Sequence, residues 1–257
     1  MALTSPATLM LAACGGTAED TPEAIAEAAP ACETVNFEGS ALTHCVADPA
    51  RHNVYTVLAD GNGKPYRSLA AYAATRPADA AVVAFAMNGG MYDEDGQPIG
   101  YFVEQGDRLH TLNRAEGPGN FHLKPNGVFF GTGETWQVLD SESFYDTVTA
   151  RPEFATQSGP MLVTSGTIHP EFVEDGPSRK LRNGVGVDET GRAHFVISDA
   201  PVSFGKFARY FRDELKTANA LFLDGSVSQL WDPARGRMDV GAVLGPLIIV
   251  ENRATAP

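Results

Sequence analysis

Five times in this 257-residue chain a short apolar run carries a polar side chain beside a glycine at one end. Asn88-Gly89-Gly90 follows the run 80–87, and Asn126-Gly127 interrupts 121–130. Gln157-Ser158-Gly159-Pro160 precedes Met161-Leu162-Val163, Arg182-Asn183-Gly184 opens 184–198, and Asp224-Gly225-Ser226 follows "ALFL". Short apolar runs bounded by turn residues are strands with at least one face buried, and glycine at their ends permits close backbone approach or a positive φ. Each cluster taken singly reads as a turn. Five together point to a polar cleft built from strand ends.

The remaining pattern agrees with a strand-rich fold. "NVYTVLAD" (53–60) alternates and runs into Gly61-Asn62-Gly63. "AAVVAFAM" (80–87) is apolar throughout, as in a strand covered on both faces. "IGYFVEQ", "FHLKPNGVFF" and "TWQVLDS" read as further strands, and 184–198 as a hairpin turning at Glu189-Thr190-Gly191. "ALFLDGSVSQLW" (220–231) and "GAVLGPLIIV" (241–250) complete the set. Helical spacing is confined to 66–76, stopped by Pro77, and to 203–218, where Ser203 caps a Phe204-Phe207-Phe211-Leu215 stripe. Helices therefore do not alternate with strands, and the expectation is α+β: a mixed, mainly antiparallel sheet core with few helices. The 26 glycines and 17 prolines fit such a turn-rich chain.

A net charge of −13 with no basic stripe excludes nucleic acid as the partner. The apolar stretch ending in Leu11-Ala12-Ala13-Cys14, followed by two glycines, resembles a bacterial lipoprotein signal. No basic residue precedes it, so either the true start lies upstream of Met1, the preferred reading, or the likeness to a signal is accidental. Residues 1–14 are read as the signal with Cys14 lipidated, 15–31 as a flexible acidic linker, and 32–257 as the folded domain. Contact with a membrane is expected only through that anchor, in the periplasm or outer cell envelope. Cys32 and Cys45 read as a disulfide in an exported protein, the other reading being two unrelated thiols. His44 and His52 do not fall into ligand-pair spacing with them, and Asp93-Glu94-Asp95-Gly96 lacks the later ligands of a calcium loop. It reads as a hairpin turn. No cofactor and no metal are expected.

The series "NGGMYDEDGQPIGYFVEQG", "GNFHLKPNGVFF", "ATQSGPMLV", "RNGVGVD" and "ALFLDGSVSQLW" resembles the bacterial phosphodiester glycosidase family, related to the lysosomal uncovering enzyme. The likeness runs in order from about residue 50 to 250. One departure is "DGSVS" (224–228), where the uncovering-enzyme branch is richer in glycine. The resemblance implies an exported hydrolase of a glycosyl phosphodiester or related envelope glycan linkage, with a sugar-phosphate or glycan substrate. A glycan-binding envelope lipoprotein without catalysis is the alternative use of the same cleft.

Cleavage at the anomeric carbon expels a phosphomonoester, already a stable anion, so strong general-acid help is less needed than for ordinary glycosides. The transition state does need a cation on the phosphate and a carboxylate near the oxocarbenium or the attacking water. Arg182 is assigned the first role, for its planar fork, and Asp224 the second. Asn88, Gly89, Lys124, Asn126, Gln157, Ser158, Asn183, Gly225, Ser226 and Ser228 are assigned to substrate binding. On spacing alone, Asp224 reads first as a turn residue; Arg182 reads also as a surface cation beside Arg179 and Lys180, and Lys124 as an edge-strand lysine. His169 reads as a loop histidine or an acid–base group.

Overall fold

The structure, a computed structural model, describes residues 1–2, 30–225 and 227–254. Cys14, read as a lipidation site, most of the segments read as signal and linker, and Ser226 lie outside the described residues. Among those described, no helix is long and apolar enough to cross a membrane.

The chain begins with β1 (Cys32–Phe37) and β2 (Ser40–Ala47), a hairpin turned by Glu38 and Gly39 at φ 46° and 75°. This register sets Cys32 opposite Cys45, and the two are joined by a disulfide. β3 (His52–Val57) leads to α1 (Leu69–Thr75), whose Ser68 hydroxyl accepts from Ala71 N. β4 (Val83–Asn88), β5 (Phe102–Glu104), β6 (Asp107–His110), β7 (Gly127–Thr132) and β8 (Thr135–Asp140) follow. Asp140 then caps α2 (Ser141–Thr147), its carboxylate accepting from Glu142 N and Ser143 N. The chain continues through β9 (Phe154–Ser158), β10 (Met161–Thr164), β11 (Thr167–Ile168), β12 (Asn183–Val187) and β13 (Ala193–Ser198). After α3 (Phe204–Arg209) come β14 (Asn219–Phe222), β15 (Leu230–Asp232), β16 (Arg237–Met238) and β17 (Leu247–Asn252).

The strands form three sheets, ordered β1-β2-β13-β12-β14-β10-β11, β16-β15-β4-β17-β3 and β6-β5-β9-β7-β8, with antiparallel neighbours. Their inner faces enclose one core, to which Phe85, Met87, Phe129, Trp136, Phe154, Phe195, Leu221 and Ile248 contribute. Each outer face is closed by its own helix. Phe207 and Phe211 pack on the seven-stranded sheet, Leu69 and Tyr72 on the sheet holding β4, and Phe144 on the third. β4 shows why its sequence is apolar throughout: Phe85 and Met87 face the common core while Val83 and Ala86 face α1. Fully burying each such side chain contributes about 1.5–3 kcal/mol. Asp93-Glu94-Asp95-Gly96 is a hairpin turn, with Gly96 N donating to Asp93 O at 2.9 Å.

The helix read over 203–218 is shorter. Ser203 caps it as expected, but α3 passes into a π-helical stretch over Tyr210–Glu214, and Lys216 adopts φ 54°. The wider turn keeps Phe207 and Phe211 buried while Leu215 is only partly covered. Phe204 is also partly buried, because its ring covers Arg182.

Candidate functional site

The pairing registers bring the polar clusters to one rim. Gly184 at the start of β12 lies opposite Phe222 at the end of β14, and Met161 at the start of β10 lies opposite Leu221. Gly127 at the start of β7 pairs with Ser158 at the end of β9, and Asn88 ends β4 opposite Leu247. Ser158 Oγ donates to Leu223 O, which joins the β7–β9 pair to the end of β14.

Two buried asparagines then hold the segment after β14. Asn183 Nδ2 donates to Asn88 Oδ1 and to Asn88 O, both at 3.1 Å. Asn183 Oδ1 accepts from Asp224 N at 3.0 Å and from Ser228 Oγ at 3.3 Å. Asn88 Nδ2 donates to Asp224 O at 3.3 Å, and its Oδ1 accepts from Gln229 N at 2.9 Å. Ser228 Oγ lies 3.1 Å from Asp224 O. Asn88 and Asn183 are about 1% and 0% exposed, so these bonds form in a poorly solvated setting where leaving a partner unpaired is expensive. The sequence assigned both amides to sugar hydroxyls or phosphate oxygens; the structure occupies them with each other and with the main chain of the Asp224 loop. Asp224 itself is half-buried at the rim. Gly225 is required by packing, since a Cβ there would stand 2.7 Å from Leu181 O and from the Phe222 ring. Gly89 is also engaged, its N–H donating to Pro246 O at 2.7 Å.

Gln157 and Ser158, adjacent on a strand, point to opposite faces. Ser158 reaches the Asp224 loop, whereas Gln157 secures the segment 99–113 from the other side. Its Oε1 accepts from Tyr101 N at 2.8 Å and Asn113 N at 2.9 Å, and its Nε2 donates to Asn113 O at 2.7 Å and Ser141 Oγ at 2.9 Å. Asn126 belongs to this second network, donating to Phe121 O at 3.0 Å. Lys124 Nζ lies 3.3 Å from both Asn126 Oδ1 and Arg114 O. The buried His169 ring lies 2.9 Å from Lys124 O and stacks on Phe172, which ties it to the loop beside the rim.

Arg182 is only 2% exposed, so the reading as a surface cation does not hold. Its Nε donates to Val202 O at 2.9 Å and its Nη2 to Ser178 O at 2.8 Å. The guanidinium carbon lies 3.4 Å from the centroid of the Phe204 ring and 5.5 Å from that of Phe222. Among the described residues no carboxylate is paired with it. Burial alone lowers its pKa to about 10, still charged at neutral pH. The forked edge assigned to two phosphate oxygens is thus occupied by two main-chain carbonyls.

The structure also adds residues to the rim. A cleft of about 340 Å3 flanks the Asp224 loop, lined on that side by Val227, Ser228 and Gln229 and on the other by Asp199, Arg237 and Asp239. Arg237 is bidentate to Asp239 at 2.9 Å and bonds Asp199 at 2.8 Å, so its charge is already matched. Tyr92 is close enough to Asp224 to feel its charge: burial raises the phenol's pKa, the Asp224 carboxylate adds to this, and Arg67 opposes it. The Tyr92 hydroxyl donates to Val243 O, and Arg67 lies 5.7 Å from the ring centroid. Tyr92 and Gln229 lie inside the motifs quoted from the sequence, whereas Arg67 and Arg237 carry no local signal.

A profile of the phosphodiester glycosidase family matches residues 81–235. The Escherichia coli (strain K12) protein YigE, described as uncharacterized, is 39% identical over 149 residues, 58% of this chain and 58% of its own length. The match therefore spans less than two thirds of that relative. The catalytic domain of zebrafish N-acetylglucosamine-1-phosphodiester alpha-N-acetylglucosaminidase, auto-inhibited by its pro-peptide, superposes with a TM-score of 0.58. That comparison covers 86% of this chain and 82% of the zebrafish chain at 14% identity. A hypothetical protein from Synechocystis gives a TM-score of 0.54 at 15% identity, over 86% of this chain and 61% of the other. At these identities the two solved structures establish the fold.

Proposed function

Because the chain belongs to the phosphodiester glycosidase family, we propose that it hydrolyses a glycosyl phosphodiester or a related envelope glycan linkage at the strand-end rim. Asp224 is the base or electrostatic stabiliser of this reaction. The observation that carries the reading is the way Asp224 is held. Its N–H donates to Asn183, and its C=O accepts from Asn88 and Ser228. Main-chain bonds at both the N–H and the C=O of Asp224 set where its side chain leaves the loop without depending on its charge, as pre-organised catalysis requires.

Arg182 keeps a place in this proposal, but an altered one. Its Nε and Nη2 are engaged by Val202 and Ser178. Its charge lies one residue before the asparagine that clamps Asp224 and is not neutralised by a bonded carboxylate among the described residues. A desolvated cation there favours an anion at the rim through its field rather than through a two-pronged clamp. Phosphate departure would be assisted in this way, and the cleft beside Val227 and Ser228 would receive part of the sugar or the aglycone.

The Cys32–Cys45 disulfide supports placing this activity in an oxidising compartment of the envelope, and a lipid on Cys14 would tether it there. The test is incubation of the purified chain with a panel of glycosyl-1-phosphodiesters and ordinary glycosides, with product analysis. Release of a phosphomonoester and a free sugar is expected. Absence of turnover across the panel, with saturable glycan binding, would replace the hydrolase by a binding protein.

A further inference from the structure

A second cleft, of about 610 Å3, opens between β3, β5 and α1 and shares no lining residue with the one beside the Asp224 loop. Its wall is built from Tyr55, Tyr66 and Tyr72 with Val57, and it carries the carboxylates of Glu104 and Asp60. The aromatic side is rigid. Tyr55 and Tyr72 share a hydrogen bond of 2.8 Å between their hydroxyls, and Arg76 donates to Tyr72 at 2.8 Å and Tyr55 at 3.1 Å. Tyr55 also donates to Glu251, which is ion-paired with Arg76. Tyr66 meets Tyr72 edge to face with centroids 5.3 Å apart. The polar ends of Tyr55 and Tyr72 are therefore consumed by a matched Arg76–Glu251 pair, and the Arg76 guanidinium also stands over the Tyr72 ring, 5.7 Å from its centroid, so Tyr72 serves as backing for the wall; neither Arg76 nor Glu251 lines the cleft.

The acidic side is held just as firmly. Glu104 is half-buried, one carboxylate oxygen accepting from Leu58 N at 3.1 Å. Asp60 closes the 60–64 turn through Asn62 N at 2.9 Å and Lys64 N at 3.0 Å. Lys64 stands beside Asp60 but does not line the cleft, so the lining carries carboxylates and no cation. Aromatic faces attract cations through the ring quadrupole, and a partly desolvated carboxylate strengthens that preference. We propose that this cleft binds a small organic cation, an alkylammonium or a protonated amino sugar, between its Tyr55 and Tyr66 wall and Glu104.

Neutral polyols would also rest on tyrosine rings, and charge separates the two cases. The full chain is titrated by calorimetry and by ligand-observed NMR with choline, with its uncharged isostere 3,3-dimethylbutanol, and with glucosamine against glucose. Choline and glucosamine should each bind at least about tenfold more tightly than their neutral counterparts, the contrast expected of a desolvated cation–aromatic contact. Glu104→Gln should remove most of that contrast, Tyr66→Leu should weaken binding, and Tyr66→Phe, which keeps the ring face, should not. Thermal midpoints of the three variants show that each is folded. Equal binding of choline and its isostere, or no binding of either amine at millimolar concentration, overturns the proposal. Neither result bears on catalysis at the rim.

Discussion

Asn183 Nδ2 lies 3.1 Å from Asn88 Oδ1, and this contact ties the first residue of β12 in one sheet to the last residue of β4 in another. Both amides also hold the Asp224 loop, so the interface between sheets and the geometry of the site are one construction. Asn183→Asp replaces a donor facing two acceptors with a third acceptor. Loss of about 2–4 kcal/mol is expected, from an unsatisfied buried charge as well as the missing bonds. A thermal melt checks it. An unchanged midpoint would mean that the loop stands without the clamp.

Arg182→Lys separates the two uses of that side chain. A lysine ammonium cannot reproduce the planar arrangement that meets Val202 O, Ser178 O and the Phe204 ring together. Stability should fall by about 1–3 kcal/mol, since carbonyls lose their partners in a buried place. A fall in kcat with an unchanged thermal midpoint would instead put the guanidinium on the phosphate, as the sequence alone suggested.

Acid should weaken the fold through His44. Its Nε2 lies 2.9 Å from His194 Nδ1, and His194 Nε2 lies 3.0 Å from Asp188 Oδ2. Asp188 fixes the proton on His194 Nε2, so His194 Nδ1 accepts from His44. Glu33, 3.7 Å from His44 Nδ1, and the edge-on Tyr210 ring are its other neighbours. Burial, then the His194 and Arg192 charges, lower the His44 pKa to about 4 from 6.5. Between those values the unfolded chain binds a proton that the folded chain refuses, so stability falls as pH drops through that window. The loss is on the order of 3 kcal/mol once the window is crossed. His194 is lowered in the same direction, by burial first. For Asp188 burial acts upward, but hydrogen bonds from Thr190, His194 and Arg192 outweigh it and hold the carboxyl well below its usual range. Its contribution is therefore present above the unfolded value of 3.8 and is lost at still lower pH. His44→Gln keeps a donor for His194 without the titration, and its melting temperature should fall less than the parent's between pH 6.5 and 4. Parallel curves for the two proteins would remove His44 as the cause.

Reduction of Cys32–Cys45, or Cys45→Ser, should destabilise the β1–β2 hairpin. The bridge closes a short loop, and its loss is worth about 3 kcal/mol, chiefly through the unfolded chain. Intact mass under non-reducing conditions should be two protons below the reduced value. Free thiols in protein isolated from its native cells would show that the bond does not form there.

Strands with a one-sided or wholly buried pattern were legible in the sequence. β4 and the β12–β13 hairpin are examples, because their burial leaves a period or a continuous run. β1 was not legible: beyond Cys32 no residue of it is fully buried, and a strand that packs little leaves little pattern. α2 went unread: only its first residue, Ser141, fell within the strand read over "TWQVLDS" and the rest was assigned to no element, although Asp140 followed by Ser141-Glu142-Ser143 is a capping signal. The rim itself could be read from the polar–glycine clusters. Side-chain direction could not, since Gln157 differs from Ser158, and Arg182 from Asn183, only by one step of strand alternation.

Asp224→Asn is the decisive substitution. Three bonds that hold the loop, from Asp224 N to Asn183 and from Asn88 and Ser228 to Asp224 O, use the main chain of Asp224. An asparagine keeps each of them and nearly the same volume, so the thermal midpoint should stay close to the parent's. Removing the charge beside Tyr92 should relieve the upward push on that phenol, which ultraviolet titration can follow independently of turnover. On a cleaved glycosyl phosphodiester, kcat should drop on the order of 10²- to 10⁴-fold, the range expected when a general base or a charge stabiliser is lost. If Asp224 serves only the turn, asparagine is an equivalent residue there and both rate and midpoint stay unchanged. That outcome, obtained on a substrate the parent protein cleaves, would remove Asp224 from the mechanism while leaving the clamp intact.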